Sequence, residues 1–313
     1  MKKQWIIGFG LCFTILPYLC AASAQQRPQN GGAGSPQAGW SSFSRGGAVH
    51  QFDSDLEQGG SFGATRFNIE AGQGYSWNRR NSVSLSVSYS YDGYSFGPGE
   101  RGMAASNPWD DVHSISLALP ARWGFGDDWS TIVIPSIRSS GESGSDFEDT
   151  ITGGMLAGVN YRFSDRLTIG PGIGVISQLE DSATVFPVLI IDWRITDRLS
   201  LETGRGLAAT VGPGLTLKYA ANERWSMLVG GRYEKLRFRL ADSGSDPGGV
   251  GEDTSFPLFA SITYSFSPLT SVSMVGGAEL GGELKQEDNK GRSIAEESYD
   301  SAGFLGFTFS VRL

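Results

Sequence analysis

Few side chains in this 313-residue sequence could do acid–base or nucleophilic chemistry. It has 2 histidines, His50 and His113, and 2 cysteines, Cys12 and Cys20. Asp111-Val112-His113 and Asp53-Ser54-Asp55 each place two titratable groups two residues apart. On a strand that spacing puts both on one face, and aspartate–histidine pairs can activate water for hydrolysis. Such chemistry requires the two segments to face each other. Ser114 follows His113 directly, so a His-x-Ser nucleophile arrangement is missing. Gly170-Pro171-Gly172-Ile173-Gly174 looks like a phosphate-cradling loop. No helical pattern follows it, so a phosphate would find no helix N-terminus there. The sequence therefore offers no catalytic set, metal-ligand set or cofactor motif. The formal net charge of -8 argues against nucleic acid as a partner.

The elements that carry these residues have a period of two. Ser82 to Asp92 reads SVSLSVSYSYD, with Val83, Leu85, Val87, Tyr89 and Tyr91 on one face and serines on the other. Only a strand separates them this cleanly. About fourteen such segments follow one another: 47–56, 61–77, 82–92, 112–125, 129–139, 151–163, 167–179, 184–195, 199–205, 210–221, 225–238, 255–266, 271–284 and 302–313. Twelve is the alternative count if 47–56 or 199–205 is no strand. Short turns recur at 78–81, 126–128, 164–166, 196–198, 222–224 and 267–270. The longer polar connections at 93–111, 140–150, 239–254 and 285–301 fall between them and are rich in acids. They read as solvated loops.

The first residues are different. Lys2 and Lys3 precede an apolar run from Trp5 to Leu19, and Ala22-Ser23-Ala24 is an A-x-A cleavage site. Residues 1–24 thus read as a signal peptide for Sec-type export. Both cysteines leave with it, so no disulfide or thiol chemistry is expected in the mature chain. Residues 25–46 are rich in Gln, Gly, Ser and Pro and read as a flexible tail, with a β domain over 47–313.

Aromatic placement selects the kind of β fold. Trp77, Trp123, Trp129, Trp193 and Trp225 flank the short turns, and Tyr161, Tyr219 and Tyr264 occupy equivalent places. Rings with an apolar body and a wet tip gather at a bilayer boundary. The expected fold is all-β: a closed, antiparallel, up-and-down transmembrane barrel. Pro120, Pro135, Pro171, Pro187, Pro213 and Pro257 fall inside these strands, against the usual rule, and point to bulges or kinks.

With its signal peptide, alternating strands, FSDRL- and ITDRL-type turns and terminal FTFSVRL, the chain resembles Gram-negative outer-membrane β-barrel proteins, including barrel families with channel or transport roles. The resemblance covers most of the mature chain and carries no catalytic residue. It implies a place in the outer membrane, among lipid and lipopolysaccharide. It also implies a C-terminal assembly signal, Phe307, Phe309, Val311 and Leu313, read by the barrel-assembly machinery; the usual last residue is phenylalanine rather than leucine.

In a barrel whose apolar face meets lipid, Arg122, Arg162, Arg194, Arg312 and Lys218 point inward near the periplasmic mouth. Inward Asp192, Glu202, Glu279 and Glu283 supply the opposite charge. Such a basic arc reads either as an anion-attracting constriction or as a salt-bridge network. Inward Ile132, Ile134, Phe186, Val188 and Ile190 suggest a narrow apolar conduit or a closed lumen. Three functions follow: passive passage of small solutes, a structural or adhesive barrel with a closed lumen, and a rim protease of the omptin type using the Asp/His pairs.

Overall fold

The computed structural model describes residues 38–203, 214–244 and 246–313. Fourteen antiparallel strands form one closed sheet. They are β1 (Gly39–Asp55), β2 (Ser61–Ser76), β3 (Ser82–Phe96), β4 (Asp111–Ala118 and Ala121–Phe125), β5 (Trp129–Glu142), β6 (Ile151–Ser164) and β7 (Leu167–Gln178). The second half comprises β8 (Asp181–Arg194), β9 (Leu199–Thr203), β10 (Gly214–Ala220), β11 (Trp225–Arg232 and Glu234–Arg239), β12 (Val250–Ser267), β13 (Thr270–Glu287) and β14 (Ser293–Tyr299 and Ala302–Arg312). β1 pairs with both β2 and β14, which closes the barrel. Ser42 and Leu313 exchange backbone hydrogen bonds of 2.9 and 2.8 Å at the seam. Closure gives every strand two neighbours, which a lipid-exposed sheet requires.

The alternating pattern predicts these strands closely, with informative departures. β1 starts at Gly39, inside the segment that composition assigns to a flexible tail. Its Gly and Ser residues read as linker, yet Trp40 and Phe43 anchor a paired strand against β2. The signal-peptide reading and the rest of the tail lie outside the described residues, as does Pro213. Pro120 falls in the break within β4, and Pro171 falls where the β6–β7 ladder is interrupted, between the Gly158–Gly172 and Tyr161–Ile169 pairs, with its register kept. Both cost ladder bonds locally without ending the strand. The acidic loops are shorter than their composition suggests. Glu142, Glu252, Asp253, Glu287, Glu296 and Glu297 all belong to strands.

The outward face is apolar. Leu85, Ile137, Leu189, Val229 and Phe307 expose 47–61% of their surface. Side chains of this kind, repeated on nearly every strand, are stable against hydrocarbon and not against water. At the long-loop end the barrel narrows. The upper piece of β11 makes a parallel bridge to β5, Arg239 opposite Gly141. β11–β14 and β1–β5 thus form a collar from which β6–β10 are left out.

Candidate functional site: the barrel lumen

The lumen is built from alternate residues of each strand and changes character along its axis. At the short-turn end, alternation with outward Trp123, Phe163, Trp193 and Val311 turns Arg122, Arg162, Arg194 and Arg312 inward. All four are exposed, as is Lys218. Their roles differ. The Arg162 guanidinium donates to the Asp128 carboxylate at 3.0 Å and the Asp127 carbonyl at 2.8 Å, so it is tied to the neighbouring turn. Arg194 and Lys218 flank Ser200 in register, next to the adjacent carboxylates of Asp192 and Glu202. The rim also holds two arginines that the sequence reading passed over. Arg80 donates to the carbonyls of Phe125, Gly126 and Trp129 across the next turn. Arg166 donates to Asp197 at 2.9 Å, one turn further round. The arginines of the turns were the available signal: Arg80 and Arg166 each meet the carbonyls or the acid of the next turn.

Above this rim the lumen wall is apolar. Ile132, Ile134, Leu156, Phe186, Val188 and Ile190 line β5, β6 and β8, all half-buried. The inward face of β7 between them is Gly170, Gly172 and Gly174. A Cβ on Gly174 would fall 2.2 Å from the Phe186 ring, and one on Gly158 would fall 2.4 Å from Ile190 Cδ1. These large side chains therefore lie back along a strip of glycine, where they would otherwise fill the lumen. On the opposite wall Val49, Leu228, Phe259, Val275 and Phe304 form a tighter apolar cluster.

Next comes a layer of buried charge. Arg66 donates to Glu279 at 2.8 Å, Asp253 at 2.9 Å and the Gln51 amide oxygen at 2.8 Å, with Asp92 at 3.6 Å. Tyr299 donates to Asp253 and Glu279 at 3.2 and 3.3 Å. These groups are 0–8% exposed, so water does not screen them and each depends on its partners. Glu283 is not part of this layer. Gly281, at φ 59°, makes a bulge in β13, after which Gly282 and Leu284 take the inward positions and Glu283 turns out. The sequence reading of Glu283 as a lumen acid is corrected for that reason, while Glu279, Asp192 and Glu202 keep the inward side.

The collar is filled by an apolar core of Phe62, Tyr94, Met103, Trp109, Val112, Phe238, Leu284 and Tyr299. On its outer side Arg237 binds the Leu179 carbonyl at 2.8 Å together with Glu252 and Glu287, and Arg239 binds Glu180 at 2.8 Å. Glu252 and Glu287, which looked like solvated loop charge, are thus partners of a buried arginine.

On the outer wall Trp77, Trp123, Trp129, Trp193, Trp225 and Tyr219 are 41–46% exposed. Their rings join in pairs: Trp77–Trp123 at 6.2 Å, Trp129–Tyr161 at 4.8 Å and Trp225–Tyr264 at 4.9 Å. Phe307, Phe309, Val311 and Leu313 share this outward side, with Phe307 and Leu313 61% and 60% exposed. A second aromatic group sits toward the long-loop end. The Tyr89 hydroxyl lies 2.8 Å from His113 Nδ1, Tyr91 packs on the His113 ring at 5.3 Å, and His50 meets Phe52 at 5.3 Å. The tyrosines ending the Ser82–Asp92 alternation were its signal. Asp111 lies 3.1 Å from His113 Nε2 on this same outward wall. Among the described residues no contact joins that pair to Asp53 or Asp55, so the facing arrangement a rim protease needs is not formed.

Comparisons with known proteins match this description at the level of fold. The chain is similar to an outer-membrane channel of Pseudomonas putida F1, with a TM-score of 0.50 and 9% identity over 91% of this chain and 100% of that one. Weaker likenesses link it to a Pseudomonas aeruginosa FadL homologue (TM-score 0.42, 13% identity, 87% and 88% covered) and to the P. putida toluene transporter TodX (0.43, 10%, 87% and 90%). No protein-family profile and no curated protein matches the sequence.

Proposed function

We propose that the chain is an outer-membrane channel for passive passage of small solutes, with its short-turn end and both termini in the periplasm. One observation carries the reading. The apolar residues inside β5, β6 and β8 are half-buried, whereas the interior of a filled barrel would bury them completely. Their remaining surface faces the lumen, so the solutes favoured are small and weakly polar. The shared fold with an outer-membrane channel supports this reading. Lipid contacts the apolar wall, lipopolysaccharide surrounds the Tyr89–His113 level, and the outward Phe307 to Leu313 face suits recognition by the barrel-assembly machinery. No catalytic step is assigned.

The packed collar favours a second reading, a barrel whose lumen is permanently closed. Planar-bilayer recording of the purified barrel separates the two. The channel reading expects discrete conductance steps. Repeated insertion of folded barrels without a step, including barrels lacking the collar segment described next, would leave only the closed barrel.

A further inference from the structure

The connection between β3 and β4 does not project from the barrel. It turns back into the mouth, where Met103 and Trp109 are 0% and 1% exposed. The Trp109 ring meets Phe238 at 5.3 Å, Phe96 at 5.7 Å and Tyr94 at 6.0 Å. The segment folds into a single five-residue helix, α1 (Gly102–Ser106), ended by Asn107 at φ 44°. A helix this short does not hold itself together in water, so contacts with the barrel must hold it.

Those contacts are of two kinds. The ends of the segment continue the strands: Gly97 N donates to the Ser61 carbonyl at 2.8 Å and Tyr94 N to the Asp110 carbonyl at 2.6 Å. The middle is pinned by one side chain. Glu297, on β14, accepts from Met103 N at 2.8 Å through one carboxylate oxygen and from Gln58 N at 2.7 Å through the other. Glu297 is 2% exposed, and among the described residues no cation pairs with it. A buried carboxylate in this position has only those two N–H groups to replace its water. Gly102 takes φ 65° directly beside it, and a Cβ there would stand 2.5 Å from its oxygen.

We infer that segment 97–110 is a displaceable stopper in the outer mouth and that the Glu297 carboxylate is its latch. This rests on the channel reading and adds to it a point of control. The stopper is what keeps outside water off the Arg66 layer. With the latch intact, two buried apolar side chains, Met103 and Trp109, and one charge-assisted hydrogen bond, from Met103 N to Glu297, hold the middle of the segment in place, while the bond from Gln58 N fixes Glu297 itself. With the latch lost, the ends of the segment remain tied to the strands while its middle is free to swing out. Water then enters the mouth and solvates the charges beneath.

The test is single-channel recording on four proteins: wild type, Glu297→Gln, Met103→Ser, and a barrel in which residues 99–107 are replaced by a short glycine link. The amide of Glu297→Gln turns a donor toward one N–H, which removes one latch bond without touching strand pairing. Met103→Ser lies outside the strands and serves if the first variant fails to fold. Folding is checked for each by heat-modifiable gel mobility. The expected result is low open probability in wild type, about tenfold higher in both point variants, and sustained opening in the replaced barrel. Open probability in Glu297→Gln and Met103→Ser equal to wild type, beside an open replaced barrel, overturns the latch. Wild type already as open as the replaced barrel overturns the stopper. A folded replaced barrel that never conducts overturns the channel reading itself.

Discussion

Arg66 shows how much of this interior rests on single side chains. Its partners Glu279 and Asp253 lie 213 and 187 residues away in the chain, on β13 and β12. Arg66→Met would leave Asp92, Asp253 and Glu279 buried without their shared cation. Unfolding in urea from lipid vesicles should show a loss of roughly 3–5 kcal/mol. A loss no larger than that of an exposed rim variant such as Arg122→Ala would contradict the account. Adding Asp253→Asn to Arg66→Met should recover part of the loss, because one uncompensated charge is then removed. None of this pairing could be read from the sequence. Acids at 252–253 and 287 look like solvated loop charge until the fold brings arginines to them.

Strands, by contrast, were largely legible, since a period of two is a local property of the chain. The sequence fails where the backbone departs from that period. Gly281 shifts the phase of β13 and reverses Glu283; Trp40 and Phe43 extend β1 into a segment that looks like linker. The glycines of β7 are similarly opaque, because their meaning lies in what approaches them. A Cβ on Gly170 would stand 1.9 Å from the Val159 carbonyl oxygen of β6. Gly170→Ala should therefore spread the β6–β7 pair and cost about 1–3 kcal/mol, seen as a lower temperature for the heat-modifiable mobility shift. An unchanged transition would mean that the two strands approach less closely than described. On the rim, Arg80→Ala removes three backbone contacts to residues 125–129. That segment should then be cut faster by protease added from the periplasmic side, with little change in the barrel's overall transition.

Across the whole molecule, charge and polarity are sorted along one axis: arginines at the short-turn rim, an apolar chamber, a buried ionic layer, then a stopper under the collar. The outer wall has its own order, with tryptophans near the turns and a tyrosine–histidine group further up β1, β3 and β4. Tryptophan spacing announced the first ring, and inward isoleucines announced the chamber. The sequence was silent on the collar, which depends on β11 bending to meet β5. In the proposed function, solute moves past the apolar wall of β5–β8. That path is tested most directly by placing a thiol there. Both cysteines of the sequence precede the cleavage site read at Ala24, so Val188→Cys should carry the single reactive thiol of the mature barrel. Single-channel conductance is then measured before and after a charged thiol reagent. Discrete steps that fall on modification are expected. Steps that persist at full size after complete modification would show that the conducting path does not pass Val188, and would contradict the proposed function.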